Sequence, residues 1–504
     1  MSRKTAMKGC CVALVLALAA MPVLADGRAG GKVTDDGKVA RLEALLEAHE
    51  AQISQLEAEL AATRAQDQDQ ARVDAMKQQI REVLSEQEFR EKLMPSMLQA
   101  GYDNGFFIKS SDENFLMKFN GRLQFRWTHY NVQSQNRYLN PRFRKNDSTG
   151  FDIQRLRFQF SGHAFTPDLT YVLHFRTESP QGYDTRLRDA YVNYRFSDEF
   201  QFQAGLFKIA ALQQRLTSSA LLQFVDRSMV HAVFDLDRSI GVRFWGKLFD
   251  KRLEWFLDVT NSFNDNGGNQ TITNDPPAMD NNPGLAFRVL WHALGDNPGK
   301  DLASEADHEI HDSPALDFAF HYAFNADEYD SNTTVIPFPI RRRLWGQGAF
   351  GLTTTNGMQM HQFGLASAFK YMGFSARSEY ILRILDPRRA GRRPFTPFWL
   401  LTRQGDTVTM EGAYLQMGYF LPIPGFEKKI EAVARVGGIS TMANGVDGAW
   451  EYSAGVNYYF EKDNVKLQFD VTKVDEVPIS DASSSMANVN DEPLIFRVQL
   501  QVAF

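Results

Sequence analysis

Hydrophobic and polar residues alternate one by one along most of the chain beyond residue 114. From Phe115 to Trp127, nearly every second residue is apolar, and polar or charged residues such as Lys118 and Arg122 lie between them. A period of two places successive side chains on opposite faces of a β-strand. Each such segment therefore predicts a strand with one apolar and one polar face.

Sixteen segments of this kind follow one another, starting near residues 115, 151, 169, 187, 200, 238, 253, 285, 316, 363, 374, 413, 430, 450, 465 and 494. Most connections after even-numbered strands are short, such as Thr166-Pro167-Asp168, whereas those after odd-numbered strands are long. The connection from Ala293 to Pro314, after the eighth strand, departs from this rule. An even strand number with short turns on one side predicts a 16-stranded antiparallel transmembrane β-barrel over residues 101–504, in the outer membrane of a Gram-negative-type bacterium.

A soluble β-sandwich is the alternative for a train of alternating strands. The strands of a soluble sandwich would rarely have sixteen uniformly apolar faces. In a barrel, lipid contacts the apolar outer face of every strand and water contacts the polar inner face. The terminal Phe504 closes an amphipathic strand, as expected at the end of an outer-membrane barrel. The alternation therefore favours the barrel.

The N-terminal segment predicts an export signal followed by a helical stalk. Residues 1–25 combine Arg3, Lys4 and Lys8 with a short apolar run, which is typical of a secretory signal peptide and too short for a membrane anchor. Residues 26–100 are predicted to form a periplasmic stalk with an α-helical coiled coil, although a solitary amphipathic helix is an alternative. The heptad seam consists of Val39, Leu42, Leu46, His49, Ile53, Leu56, Leu60 and Thr63.

Composition excludes several classes of protein. Mean hydropathy is -0.35, which excludes a helical membrane protein, although aromatic residues make up 12% of the chain. The only cysteines, Cys10 and Cys11, lie in the predicted signal peptide, so a disulfide scaffold is excluded. The net charge of -6 gives no sign of a nucleic-acid partner. No catalytic constellation or cofactor motif is found, so an enzyme is not expected.

Strand parity predicts a positively charged lumen despite the negative net charge. The inward faces carry sixteen Arg or Lys residues against eight acids, and a positive pore concentrates anions. Some of these bases are alternatively wall braces, such as Arg377 with Glu379 or Arg435 with Glu431. The eight acids are Asp189, Glu254, Asp258, Asp317, Glu379, Glu431, Glu451 and Asp470. The bases are Lys118, Arg122, Arg126, Arg155, Arg157, Arg176, Arg195, Arg243, Lys247, Arg288, Lys370, Arg377, Arg383, Arg435, Lys466 and Arg497.

The third loop, the connection from Lys208 to Arg238 after the fifth strand, is expected to fold into the barrel and set the constriction. Acids such as Asp226 accompany its bases. Arginine offers a planar fork that matches phosphate geometry. The candidate residues of the anion pathway and constriction are Lys208, Arg215, Arg227, Arg238, Arg122, Arg126, Arg155, Arg157, Arg243, Arg377, Arg435 and Arg497.

The third loop and later strands together resemble the phosphate-selective porin O and P family. The matching elements include Phe207-Lys208, Leu216-Thr217-Ser218-Ser219, Asp226-Arg227, Ile240-Gly241-Val242 and the segment from Gly455 to Asp470, in the expected order. The resemblance implies a homotrimeric outer-membrane channel for phosphate or related oxyanions. The sequence departs from the family at Ile209-Ala210-Ala211, at Pro422-Ile423-Pro424, and in having mainly arginine at the loop where the family's best-known channels use lysine.

Three functions remain open from the sequence: an anion-selective diffusion porin, a general or sugar-type porin of the same fold, and a structural tether from the outer membrane to the cell wall through the stalk. Basic runs at Arg341-Arg342-Arg343, Arg388-Arg389 and Arg392-Arg393 indicate contact with lipopolysaccharide or plain solvation, with a role in the pore as the alternative. His308 and His311 lie among acids in the atypical eighth connection, where a solvated acidic loop is favoured over a metal site.

Overall fold

The computed structural model describes residues 43–59, 75–78, 98–134, 147–177, 185–261, 263, 283–327, 358–387, 408–441, 448–475 and 491–504. Two compact units, residues 1–95 and 96–504, make up the chain. In the first unit, helix α1 spans residues 43–59 and a single helical turn, α2, spans residues 75–78. The predicted signal peptide and the three basic runs lie outside the described residues, and the coiled-coil packing of the stalk stays a prediction.

The described residues of the second unit form eighteen strands in one sheet. Two short strands precede sixteen longer ones, whose starts agree with the predicted series. Strands β4, β12 and β14 begin four or five residues earlier than predicted, because strands that project beyond the apolar belt lose their alternation. The strands are β1 (Gln99–Tyr102), β2 (Phe106–Lys109), β3 (Leu116–Ser134), β4 (Asp147–Ala164), β5 (Thr166–Thr177), β6 (Thr185–Arg195), β7 (Gln201–Lys208), β8 (Arg238–Leu248), β9 (Leu253–Thr260), β10 (Gly284–Leu294), β11 (Ala315–Asp327), β12 (Met358–Tyr371), β13 (Phe374–Pro387), β14 (Val408–Phe420), β15 (Ile430–Thr441), β16 (Ala449–Glu461), β17 (Val465–Asp475) and β18 (Asp491–Ala503).

Strands β3 to β18 form a closed 16-stranded antiparallel barrel. Each strand pairs with the next, and β18 pairs with β3 along thirteen residues, from Asp491 opposite Ser134 to Ala503 opposite Arg122. The β1–β2 hairpin continues the sheet beneath this seam by pairing with the start of β3. Phe504 exchanges backbone hydrogen bonds with Gly121 at 2.9 and 3.0 Å, so the last residue of the chain lies at the closure. The predicted barrel architecture is therefore confirmed.

Aromatic side chains cluster on the outside of the barrel at the end that carries the short turns. Phe165 and Phe249 stand at turns with positive φ, and both side chains are exposed. Exposed aromatic residues at the periplasmic interface are typical of outer-membrane barrels. The same end also holds exposed Phe196, Phe200, Trp291, Phe426, Phe460 and Phe504.

The third loop lies inside the barrel. It contains two short helices, α3 (Gln213–Leu216) and α4 (Met229–Phe234). Its apolar side chains, including Val230 and Phe234, are buried in one cluster with inward residues of β10 to β17. Gly412 and Gly437 leave the space that α4 needs: a Cβ built on Gly412 would lie 2.5 Å from the Phe234 ring.

The connection between β10 and β11, residues 295–314, also turns into the barrel, from the side of the short turns. We call it the periplasmic insert. Its residues Glu305 and Asp307 are 1% and 0% exposed. The exception to the rule of short turns is therefore an inserted segment rather than an error in the strand register. Among the described helices, none is long and apolar enough to cross a membrane.

Candidate functional site

The lumen is crossed by a cluster of charges centred on Asp226 of the third loop. Its carboxylate accepts two hydrogen bonds from Arg126, at 2.9 and 3.0 Å, and one each from Arg155 and Arg497, both at 3.1 Å. All four side chains are buried. Although burial would raise the pKa of Asp226, the guanidinium groups of Arg126, Arg497 and Arg155 hold it well below its usual range. These three arginines therefore anchor the loop to the β3–β4–β18 wall.

Two further candidates also act as braces. Arg435 pairs with Glu451, with Nε 2.7 Å from Oε1, and donates to the backbone carbonyl of Asp226 at 3.0 Å. Arg377 donates to the carbonyl oxygens of Leu302 and Ser304 in the periplasmic insert. The guanidinium groups thus find hydrogen-bond acceptors among backbone carbonyls as well as among acids.

The proposed pairs Arg377–Glu379 and Arg435–Glu431 are wrong. Glu379 instead accepts from the backbone N–H groups of Gln213 and Gln214, and Glu431 accepts from Gln223, Asn457 and Tyr459. The in-folded loop brings peptide groups that have lost water into the lumen, and they need partners there. The position of a residue in its strand could not show that groups of the third loop would take these carboxylates from Arg377 and Arg435.

A basic cavity of about 250 Å³ lies between the third loop and the β3–β8 wall; we call it the upper cavity. Eight cationic residues line it, whereas Asp189 is the single acid among its lining residues. Three acids behind the lining, Asp235, Asp237 and Asp258, pair with Arg215, Arg238 and Arg243. Counting these acids too, positive charge exceeds negative charge by eight to four. The eight cations are Arg122, Arg157, Arg188, Lys208, Arg215, Arg227, Arg238 and Arg243.

Among the described residues, Lys208 and Arg227 have no carboxylate at hydrogen-bond distance. The Lys208 ammonium donates to the carbonyl of Leu216 at 3.0 Å. Arg227 donates to the carbonyls of Gln214 and Thr217, at 2.8 and 2.9 Å. Burial, together with the repulsion of nearby arginines such as Arg155, lowers the pKa of Arg227 to about 9. The third loop therefore presents positive charge to the cavity, and an entering anion would stabilise this charge.

A second cavity of about 230 Å³, the lower cavity, continues toward the end of the barrel with the short turns. It shares five lining residues with the upper cavity: Arg122, Arg157, Gln159, His174 and Ser218. Tyr102 of the β1–β2 hairpin and Phe504 line its far end. The two cavities therefore lie next to each other along the third loop, with Arg122 and Arg157 directly opposite each other on β3 and β4 at the neck between them.

Seven of the twelve candidate residues line the upper cavity, and five lie elsewhere in the lumen. Those on the cavity are Lys208, Arg215, Arg227, Arg238, Arg122, Arg157 and Arg243. Those held in braces are Arg126, Arg155, Arg377, Arg435 and Arg497.

Arg188 lines the upper cavity although simple alternation does not assign it to the inside. His174 of β5 faces Asp189, and the next residue, Phe175, faces Leu187, so Arg188 is the extra residue of a β-bulge. A bulge turns two consecutive side chains to the same face. Arg186 and Arg188, two charged residues at positions that alternation assigns to the lipid side, were the sequence signal for this bulge.

The periplasmic insert is not the solvated acidic loop that the sequence predicts for this connection. His308 is 8% exposed and its Nε2 lies 3.0 Å from Oδ2 of Asp463, while Asp307 is fully buried. Side chains of the barrel wall supply the polar partners that water was expected to supply. In the described part of the chain, no group of three or more His, Cys, Asp or Glu side chains could hold a metal ion.

Comparison with known proteins gives one family match. The model of the family described as phosphate-selective porin O and P matches residues 123–276 and 347–504. No curated protein sequence matches the chain.

Solved structures of outer-membrane proteins are similar at low identity. The anion-selective porin from Comamonas acidovorans is 10% identical, with 77% of this chain and 99% of that chain covered and a TM-score of 0.48. OmpT of Vibrio cholerae is 11% identical, with 81% and 100% covered and a TM-score of 0.46. The channel DcaP of Acinetobacter baumannii is 10% identical, with 77% and 97% covered and a TM-score of 0.43.

Proposed function

The chain belongs to the phosphate-selective porin O and P family and is an outer-membrane porin, and we propose that its pore selects small anions, with phosphate and related oxyanions as the preferred class. The single observation that carries this proposal is the upper cavity, where eight cations surround the space beside the third loop. In a narrow passage with walls of low dielectric constant, such an excess of charge attracts anions and repels cations.

The geometry of the neck supports an oxyanion rather than a simple halide. Arg122 and Arg157 are cross-strand partners, and Arg157 also lies opposite Arg176 on β5. Like charges directly opposite each other destabilise a sheet. An oxyanion with several acceptor oxygens would relieve this repulsion and accept several guanidinium hydrogen bonds at once.

The sugar-type alternative is less well supported. A sugar channel is expected to line its constriction mainly with Trp and Tyr. The upper cavity has Tyr191 and Phe207 among its lining residues, against eight cations. Charge therefore dominates the passage.

We also propose a homotrimer, a stalk that contacts the cell wall, and lipopolysaccharide contact at the basic external loops. The trimer follows from the family resemblance, and α1 over residues 43–59 supports a helical stalk. An unheated detergent gel tests the assembly, because a species of monomer size would contradict the trimer.

Competition between phosphate and chloride tests the proposed oxyanion preference. Purified protein is inserted into a planar bilayer in KCl, and inorganic phosphate is added to both sides. We expect phosphate to reduce the chloride conductance in a saturable manner, because it occupies the cationic neck longer than chloride does. Conductance that is insensitive to phosphate would contradict the preference and leave only general anion selectivity.

A further inference from the structure

The periplasmic insert is held against one half of the barrel wall by polar contacts from several strands and turns. Lys370 on β12 donates to the carbonyl of Asp301 at 2.9 Å, and the N–H of Gly373, after β12, donates to Asp307 at 2.8 Å. Ser304 and His308 both contact Asp463 in the turn between β16 and β17, at 2.6 and 3.0 Å. The insert therefore extends beneath the lumen from β11 to β17.

Apolar contacts also hold the periplasmic insert against the barrel wall. Leu302 is buried with Ala315 and Ala368, and Ala306 is buried with Phe420 and Tyr459. The His308 ring stands edge-on to the Tyr459 ring, with centroids 4.7 Å apart. This close packing is typical of a segment with a defined position in the protein interior.

The insert meets the third loop at Glu305. The Glu305 carboxylate accepts from the backbone N–H of Gln223 and from Nε2 of Gln416, both at 2.8 Å, and its own N–H donates to the carbonyl of Leu221 at 3.1 Å. The Gln416 amide also reaches Oε1 of Gln223 at 2.9 Å. The insert, the third loop and β14 are thus joined at a single buried carboxylate.

The two cavities avoid this half of the barrel. Their lining residues come from the β1–β2 hairpin, from β3 to β8, from the third loop and from the end of the chain, with Asn464 as the nearest contribution from the opposite side. No lining residue of either cavity belongs to the periplasmic insert. In the described part of the chain, these two cavities and the inserted segment therefore lie in different parts of the lumen.

We propose that the periplasmic insert is a second constriction element of the pore, entering opposite the third loop, and that Glu305 is the positioning residue through which it holds that loop. The proposal rests on the proposed channel function. A 16-stranded barrel encloses a wide lumen, and the third loop alone covers it from one side. The insert narrows the β11–β17 half from the other side, so that ions are directed along the cationic β3–β8 wall.

Single-channel conductance of full-length variants tests the role of Glu305. Glu305→Ala removes both hydrogen bonds from the carboxylate, and we expect conductance to rise at least about twofold with larger open-channel noise, because pore current follows the open cross-section. Glu305→Gln keeps a carbonyl acceptor and is expected to stay near the wild type. Glu309→Ala is the matched control, because Glu309 lies on the same insert but is exposed and pairs with Lys462. Wild-type conductance and noise in Glu305→Ala would overturn the proposal.

Thiol accessibility tests the same placement in a way that does not depend on the stability of Glu305→Ala. The mature chain is predicted to lack cysteine, so Ala306→Cys and Glu309→Cys each introduce one thiol. Because Ala306 is 1% exposed, we expect a bulky maleimide to label Glu309→Cys at least about tenfold faster than Ala306→Cys. Equal labelling rates would overturn the inserted position.

The two proposals fail separately. Cation preference in the wild-type channel would remove the proposed anion selectivity but would leave the conductance increase of Glu305→Ala as a valid test of the insert. Unchanged conductance in Glu305→Ala, with an anion-selective wild type, would remove the second constriction alone.

Discussion

Asp226 and Arg126 face each other through two parallel hydrogen bonds, Nη2 to Oδ1 at 2.9 Å and Nη1 to Oδ2 at 3.0 Å, although they are 100 positions apart in the chain. The pair joins the third loop to the first long strand of the barrel. Arg155 and Arg497 share the same carboxylate. An acid of the loop thus pairs with three arginines of the lumen, and we assign the proposed anion selectivity to the cations that line the upper cavity.

Replacing Asp226 by Asn should loosen the third loop. The substitution keeps the shape but removes the carboxylate that Arg126, Arg155 and Arg497 share, although Arg497 keeps its contact with Asp470. Breaking such a buried cluster costs roughly 3–5 kcal/mol. We expect a lower unfolding temperature in detergent and noisier single channels. The control is Asp198→Asn in the turn after β6, where the carboxylate is about half exposed and pairs with Arg195 and Lys251. Equal effects of the two substitutions would contradict the anchoring role.

The charge cluster also predicts how the channel responds to acid. The pKa of Asp226 in the folded protein lies well below its unfolded value of about 4. Its contribution to stability is therefore complete above that unfolded value and is lost only as the pH falls through the lower folded value. We expect the conductance noise of the wild type to stay constant from neutral pH to about pH 4. A rise in noise that is already half complete near pH 4 would show that Asp226 titrates as an ordinary carboxyl.

The braced arginines should affect stability more than selectivity. Arg497→Gln leaves Asp470 without its main partner and weakens the hold on Asp226, and both acids are buried. We expect a lower unfolding temperature with a reversal potential close to that of the wild type, measured in the same bilayers. A large loss of anion preference without loss of stability would place Arg497 on the ion route instead.

The cations that line the upper cavity should behave in the opposite way. Lys208→Gln and Arg227→Gln each remove a basic group that donates to neutral carbonyls and faces the cavity, and one charged hydrogen bond to an anion contributes roughly 1.5–3 kcal/mol. We expect phosphate block of the chloride current to weaken about 10-fold or more in each variant. Lys251→Gln is the control, because it removes one charge from an exposed turn. Phosphate block that is unchanged in both cavity variants would contradict the assignment.

Strand alternation was sufficient to predict the barrel because every strand must present an apolar face outward. The charged interior was less predictable, because alternation gives the direction of a side chain but not its partner. Asp226 finds Arg126 and Arg497 only after a long loop has folded inward, and Arg188 reaches the cavity only through a bulge. The acids of the periplasmic insert resemble those of a solvated loop, since burial of Glu305 depends on peptide groups that another loop supplies.

The reversal potential of the wild-type channel in a KCl gradient tests the central claim most directly. The same measurement on a variant that combines Lys208→Gln and Arg227→Gln shows whether the upper cavity is responsible. We predict a potential of the sign given by chloride permeation in the wild type, and a shift toward zero in the variant. A wild-type potential of the sign given by potassium permeation would contradict an anion-selective pore.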